Sequence, residues 1–162
     1  MRQRSAVLTH RGELRFEAVT GTGRNIVFGD DEGANEHSPV ELVATALAAC
    51  TAMDVVSIMI KKRQAFESYT VRVEAAQRDE YPQVLTRVRL VHEVAGPAVT
   101  EADVRRCIEL SATKYCPVNA MLSAGAAEIH HTYRVRGTGP KPFEAEGEVL
   151  VTGPYKRPEI VG

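Results

Sequence analysis

Residues 38–63 read SPVELVATALAACTAMDVVSIMIKKR, and the fold follows from how this stretch is taken. Ser38 is a good N-cap, Pro39 suits the first helical position and Glu41 completes a capping box, so a helix starts here. Lys61, Lys62 and Arg63 suit the negative end of its dipole, which predicts a helix to about Lys62. The span Leu42–Ile60 is long enough to cross a membrane. Thr45, Thr51, Asp54, Ser57 and many alanines point instead to a helix packed in protein. In the middle of it stands Cys50.

On either side, the spacing predicts strands. Ala6–Thr20, with Arg11-Gly12-Glu13 inside it, reads as a hairpin, and Asn25–Phe28 as a short strand. Gly29–His37 is polar and turn-rich. Two β-rich runs come after the helix, Tyr69–Gln77 and Leu85–Val94. Thr100 caps a second helix to about Lys114, and Pro117 opens a third, to about Ala124. Ala127–Val135 is a strand, and Thr138–Gly162 holds one more, Glu146–Val151, before a loose tail. This divides the chain into a domain over 1–137 and an extension over 138–162. Strands in pairs without one-for-one helices make the class α+β.

Composition narrows the function. A net charge of −1 and the absence of Trp give no reason to expect nucleic acid or an anionic membrane as partner. The basic start, Met1 to Ser5, is not followed by an apolar signal core, and three cysteines do not make a disulfide framework. The expectation is a cytoplasmic protein with reduced thiols. No Cys-x-x-Cys or His-x-x-x-His spacing occurs, and His130 and His131 are adjacent on a strand and point apart, so no metal is expected.

Two thiols remain of interest. Cys116, at the N-cap of the third helix, would face free N–H groups that favour thiolate. Cys50, in mid-helix, would be desolvated and needs a partner to react; Asp54, one turn on, would disfavour its thiolate and should meet an Arg or backbone donors. Cys107 reads as core. From the residues alone, thiol redox chemistry and a non-catalytic α+β module stand about level.

The segments Ser38–Ala44 and Ala48–Ile58 resemble the central helix of the OsmC/Ohr family, the osmotically inducible and organic hydroperoxide resistance proteins. Leu110–Val118 resembles its second cysteine block and Ile129–Val135 its last strand, while Asp54–Ile58 and Arg63-Gln64 point to the YhfA-like subgroup. The resemblance covers about residues 5–136. It implies an antiparallel sheet wrapped around a long central helix in an intertwined homodimer, with active sites at the subunit interface. It implies a peroxidase for organic hydroperoxides, in which Cys50 attacks, Cys116 resolves and an external dithiol reduces the disulfide, with no cofactor. The family's usual Arg and Glu are less well matched. Arg11 is the nearest candidate for the Arg, with Arg15 or Arg24 as substitutes. Val40 stands where the Glu is expected, and neighbouring Glu41 falls about half a turn away from Cys50 around the helix. That departure keeps an alternative open: a non-catalytic or redox-sensing dimer with an apolar ligand pocket between subunits.

Overall fold

A computed structural model describes residues 2–29 and 36–153. The chain divides into two compact units, residues 1–43 and 44–162. The first is an antiparallel sheet in the order β1 (Ala6–His10), β2 (Phe16–Thr20), β3 (Asn25–Phe28). The expected hairpin turn is there: Gly12 and Glu13 take φ of 109° and 47°, and the Arg11 N–H donates to the Arg15 carbonyl at 2.9 Å. Most of the expected loop, residues 30–35, lies outside the described residues.

Helix α1 (Pro39–Lys61) begins at the end of the first unit and runs into the second. It ends where Arg63 turns left-handed at φ 56° and the Gln64 N–H reaches back to the Met59 carbonyl. Its buried positions are Ala44, Leu47, Thr51, Val55 and Met59, a single stripe at helical spacing. Val56 and Ile58 beside it are half-buried against the core, while other apolar positions stand open, with Met53 74% and Ile60 62% exposed. By length and composition α1 would also satisfy a membrane span.

The second unit continues with β4 (Ser68–Gln77), β5 (Leu85–Gly96), α2 (Glu101–Leu110), a π-helical turn (Ser111–Tyr115), α3 (Pro117–Ser123), β6 (Glu128–Gly137) and β7 (Phe143–Thr152). The sheet order is β4-β5-β6-β7. It departs from a wholly antiparallel sheet in one place: β5 and β6 run parallel. A parallel pair needs a long crossover, and α2, the π turn and α3 supply it. The strand expected at Glu146–Val151 is longer, and Val149 and Leu150 place it in the core. The tail expected after this strand, from residue 154 on, lies outside the described residues.

Two contacts fix α1 against the crossover. At its C-terminal end, Lys62 and Gln64 donate to Asp103 of α2 at 2.6 and 3.0 Å, and Thr100 caps α2 through the Asp103 N–H. Gly96, at the end of β5, lies so close to the chain after α1 that a Cβ would stand 2.4 Å from the Ala65 carbonyl oxygen. Val55 and Met59 then join Val104, Ile108, Tyr133 and Leu150 in one core cluster.

Candidate active site around two thiols

α1 contributes Cys50, Thr51 and Asp54, with Asp54 one turn beyond Cys50. The opposite side comes from the irregular part of the crossover. The sequence predicts a second helix to about Lys114; α2 keeps α-helical bonding only to Leu110 and then widens, so that the Cys116 N–H bonds the Ser111 carbonyl at 2.9 Å. Single π turns of this kind recur at functional sites. Here it brings the Ser111 hydroxyl to Asp54 Oδ2 at 3.0 Å. The expected partner for Asp54 is an Arg or backbone; the donor it meets is this buried serine.

Cys116 then turns extended, at φ −76° and ψ 104°, and caps α3 with Pro117 at the next position. Its Sγ accepts the Asn119 N–H at 3.3 Å, the placement its sequence context predicts. The Val118 backbone N–H, next along, favours the Cys50 thiolate, while the neighbouring Cys116 thiol disfavours it. The two sulfurs and the Asp54 carboxylate oxygen all lie within 4.8 Å of one another, and all three cysteines of the chain are free thiols. Cys50, Asp54 and Cys116 thus also form a group that could hold a metal ion.

Burial pushes the Cys50 thiol up to about 11, aided by the neighbouring Cys116 thiol and by the negative charges that Cys116 and Asp54 carry when ionised. The Val118 N–H works in the other direction. Thr51, fully buried, has one hydroxyl proton and two acceptors, the Leu47 carbonyl at 3.0 Å and Cys116 Sγ at 3.8 Å.

Behind Cys116 runs a buried polar chain. The Asn119 side chain donates to the Ala112 carbonyl at 2.9 Å, which ties α3 back to the π turn. Its Oδ1 accepts from His131 Nε2 at 2.9 Å and from the Thr152 hydroxyl at 3.4 Å. The His131 ring stacks near His92, whose Nδ1 meets the Tyr69 hydroxyl at 2.7 Å. Both histidines are fully buried, and desolvation lowers them to about 4 (His92) and about 3 (His131), so both are neutral at pH 7. His130 faces the other way, between Glu128 and Glu148.

Arg11, the nearest candidate for the family's Arg, and Glu41, the neighbour of the position where its Glu is expected, belong to the first unit. Arg11 is bound to Glu17 through Nε at 3.0 Å and Nη2 at 2.7 Å, and Arg15 to Glu36 at 3.0 Å. Glu41 is exposed in the first turn of α1. A depression of about 410 Å³ on the second sheet, lined by Glu93, Arg134, Arg136 and Glu146 among others, contains neither thiol.

The OsmC-like protein family matches residues 29–132, a stretch that includes Cys50, Asp54, Ser111 and Cys116. The chain belongs to the OsmC-like family. Among OsmC-like relatives, protein YhfA of Escherichia coli K12 is 37% identical over 122 residues, covering 75% of this chain and 90% of its own. A solved structure described only as structural genomics work is 34% identical, with a TM-score of 0.75, covering 81% of this chain and 97% of that one. An organic hydroperoxide resistance protein from Elizabethkingia anophelis shares the fold at 20% identity and a TM-score of 0.62, over 82% and 96% of the two chains. In this OsmC-like protein the thiols and Asp54 are conspicuous in the sequence, but Ser111, Asn119 and His131 do not stand out there as site residues. Their signal is position alone: Ser111 lies five residues before Cys116, Asn119 three after it.

Proposed function

We propose that this OsmC-like protein is a thiol-dependent peroxidase for organic hydroperoxides. The observation that carries the reading is the pair of free sulfurs held within 4.8 Å of each other, with the Asn119 N–H donating to Cys116 Sγ. Cys50, as thiolate, attacks the O–O bond; the sulfur gains one oxygen and the alcohol leaves. Cys116 then displaces that oxygen as water and forms a Cys50–Cys116 disulfide, which an external dithiol returns to two thiols. Cys50 holds its proton at neutral pH, so the small thiolate fraction limits the first step and the Val118 N–H is the group that favours it. No cofactor is needed, and the cytoplasm supplies suitable dithiols.

Intact-mass analysis after one equivalent of cumene hydroperoxide tests this. Wild type loses two hydrogens, while Cys116→Ser keeps one added oxygen that a dimedone probe traps. An unchanged wild-type mass overturns the reading.

The functional unit in this reading is a homodimer. Its support is the uncovered apolar surface of α1, where Met53 and Ile60 stand open, and the wholly exposed strand β1. Light scattering should give twice the chain mass, and Met53→Glu should shift it to one; a monomeric wild type removes the dimer.

A second reading, a redox-sensing dimer with an apolar ligand pocket between subunits, is favoured by one observation, Val40 where the family's Glu is expected. It would show the same disulfide but no sustained turnover with excess dithiol.

A further inference from the structure

Asp54 is poorly explained by thiol chemistry alone. It stands within 4.8 Å of both sulfurs, and a carboxylate there opposes formation of the very thiolate a peroxidase needs. For a cation the sign reverses. We propose that reduced Cys50, Asp54 and Cys116 bind one zinc-like divalent cation and that this occupancy blocks both thiols.

The donor set fits that chemistry. Two thiolates select zinc over magnesium or calcium, and a carboxylate is an accepted third ligand, leaving one position for water. Tetrahedral zinc would hold two sulfurs roughly 3.8 Å apart, given Zn–S bonds of about 2.3 Å. The three ligand atoms are already within 4.8 Å, so closing on a cation takes side-chain rotation of about an ångström or less.

Two of the ligands also have an outer partner. Ser111 donates to Asp54 Oδ2 at 3.0 Å and the Asn119 N–H to Cys116 Sγ at 3.3 Å. Such partners orient metal ligands, and the Asn119 N–H, with that of Val118 favouring the Cys50 thiolate, offsets the net negative charge of two thiolates and one carboxylate around a dication. Binding exchanges two thiol protons for the cation and transfers no electrons. Because both sulfurs are coordinated, neither can attack a peroxide; this regulatory half rests on the peroxidase reading, whereas the binding itself does not.

The test uses cobalt(II) added to the fully reduced protein without oxygen or peroxide. The expected result is one cobalt per chain with sulfur-to-cobalt charge-transfer bands and the visible bands of four-coordination, displaced by zinc. Asp54→Asn should weaken binding on the order of tenfold or more while keeping the charge-transfer bands, and Ser111→Ala, which leaves all three ligands in place, by about tenfold. Absence of charge-transfer bands, or wild-type affinity in a folded Asp54→Asn, overturns the site. Turnover is then measured with and without one equivalent of zinc. Cobalt binding without any turnover fells the peroxidase reading alone; turnover indifferent to bound zinc fells the blocking role.

Discussion

Cys50 is carried by an unbroken α-helix of 23 residues, whereas Cys116 sits where α2 loosens into a π turn, stops at an extended residue and restarts as α3. In the regular helix every N–H beyond the first turn is spent on a carbonyl four residues back, so α1 can present a thiol but no donor to stabilise it. The broken segment has N–H groups to spare: that of Asn119 donates to Cys116, and that of Val118 favours the Cys50 thiolate. The attacking atom lies on the regular element, while the groups that would tune it belong to the irregular one.

Acid should break this contrast most severely, because buried His131 bonds Asn119 of the irregular side and His92 stacks beside it. Their folded values, about 4 and about 3, lie below the unfolded value of 6.5. The unfolded chain therefore binds more protons between those values, and stability present above 6.5 is lost as pH falls through that window. Urea unfolding should show a loss of roughly 3 kcal/mol between about pH 6.5 and about pH 5 if both histidines contribute fully. A flat profile would mean that they find partners when charged.

A smaller effect separates the two elements by mutation. Asn119→Ala removes the tie from α3 to Ala112 and leaves His131 Nε2 unbonded in the core, which should cost about 2–4 kcal/mol. Thr51→Ala removes a hydroxyl that chiefly bonds its own helix, and about 1 kcal/mol is expected. Equal losses in the two variants, measured by urea unfolding, would erase the distinction.

The smallest effect is electrostatic. Asp54 raises the proton affinity of Cys50, though less than burial does, so Asp54→Asn should speed iodoacetamide labelling of Cys50 at neutral pH by less than about tenfold. Slower labelling would reverse the sign assigned to Asp54.

Much of the regular element is legible in the sequence. Ser38-Pro39 and Lys61–Arg63 mark the ends of α1 within a residue or two, because caps and dipole-matched charges are local. Pro117 likewise places Cys116 at an N-cap. The π turn is not legible. Ser111–Tyr115 carries no local mark of it, having neither Gly nor Pro, and it lies within the crossover between the parallel strands β5 and β6. The same holds for the parallel β5–β6 pair and for the His131–Asn119 bond, which joins residues twelve apart on different elements. Burial of only one stripe of α1 is also hidden, since an alanine-rich helix carries little amphipathic pattern to read.

Cys107 takes no part in either thiol pair or cation site; it is buried without exposure inside α2, and desolvation raises it to about 11. That silence makes it a clock. While the chain is folded Cys107 should resist a thiol reagent, and it should appear only when α2 lifts from the sheet. The rate at which it appears therefore measures how often the core opens, inside the same molecule and the same assay that monitors the reactive pair.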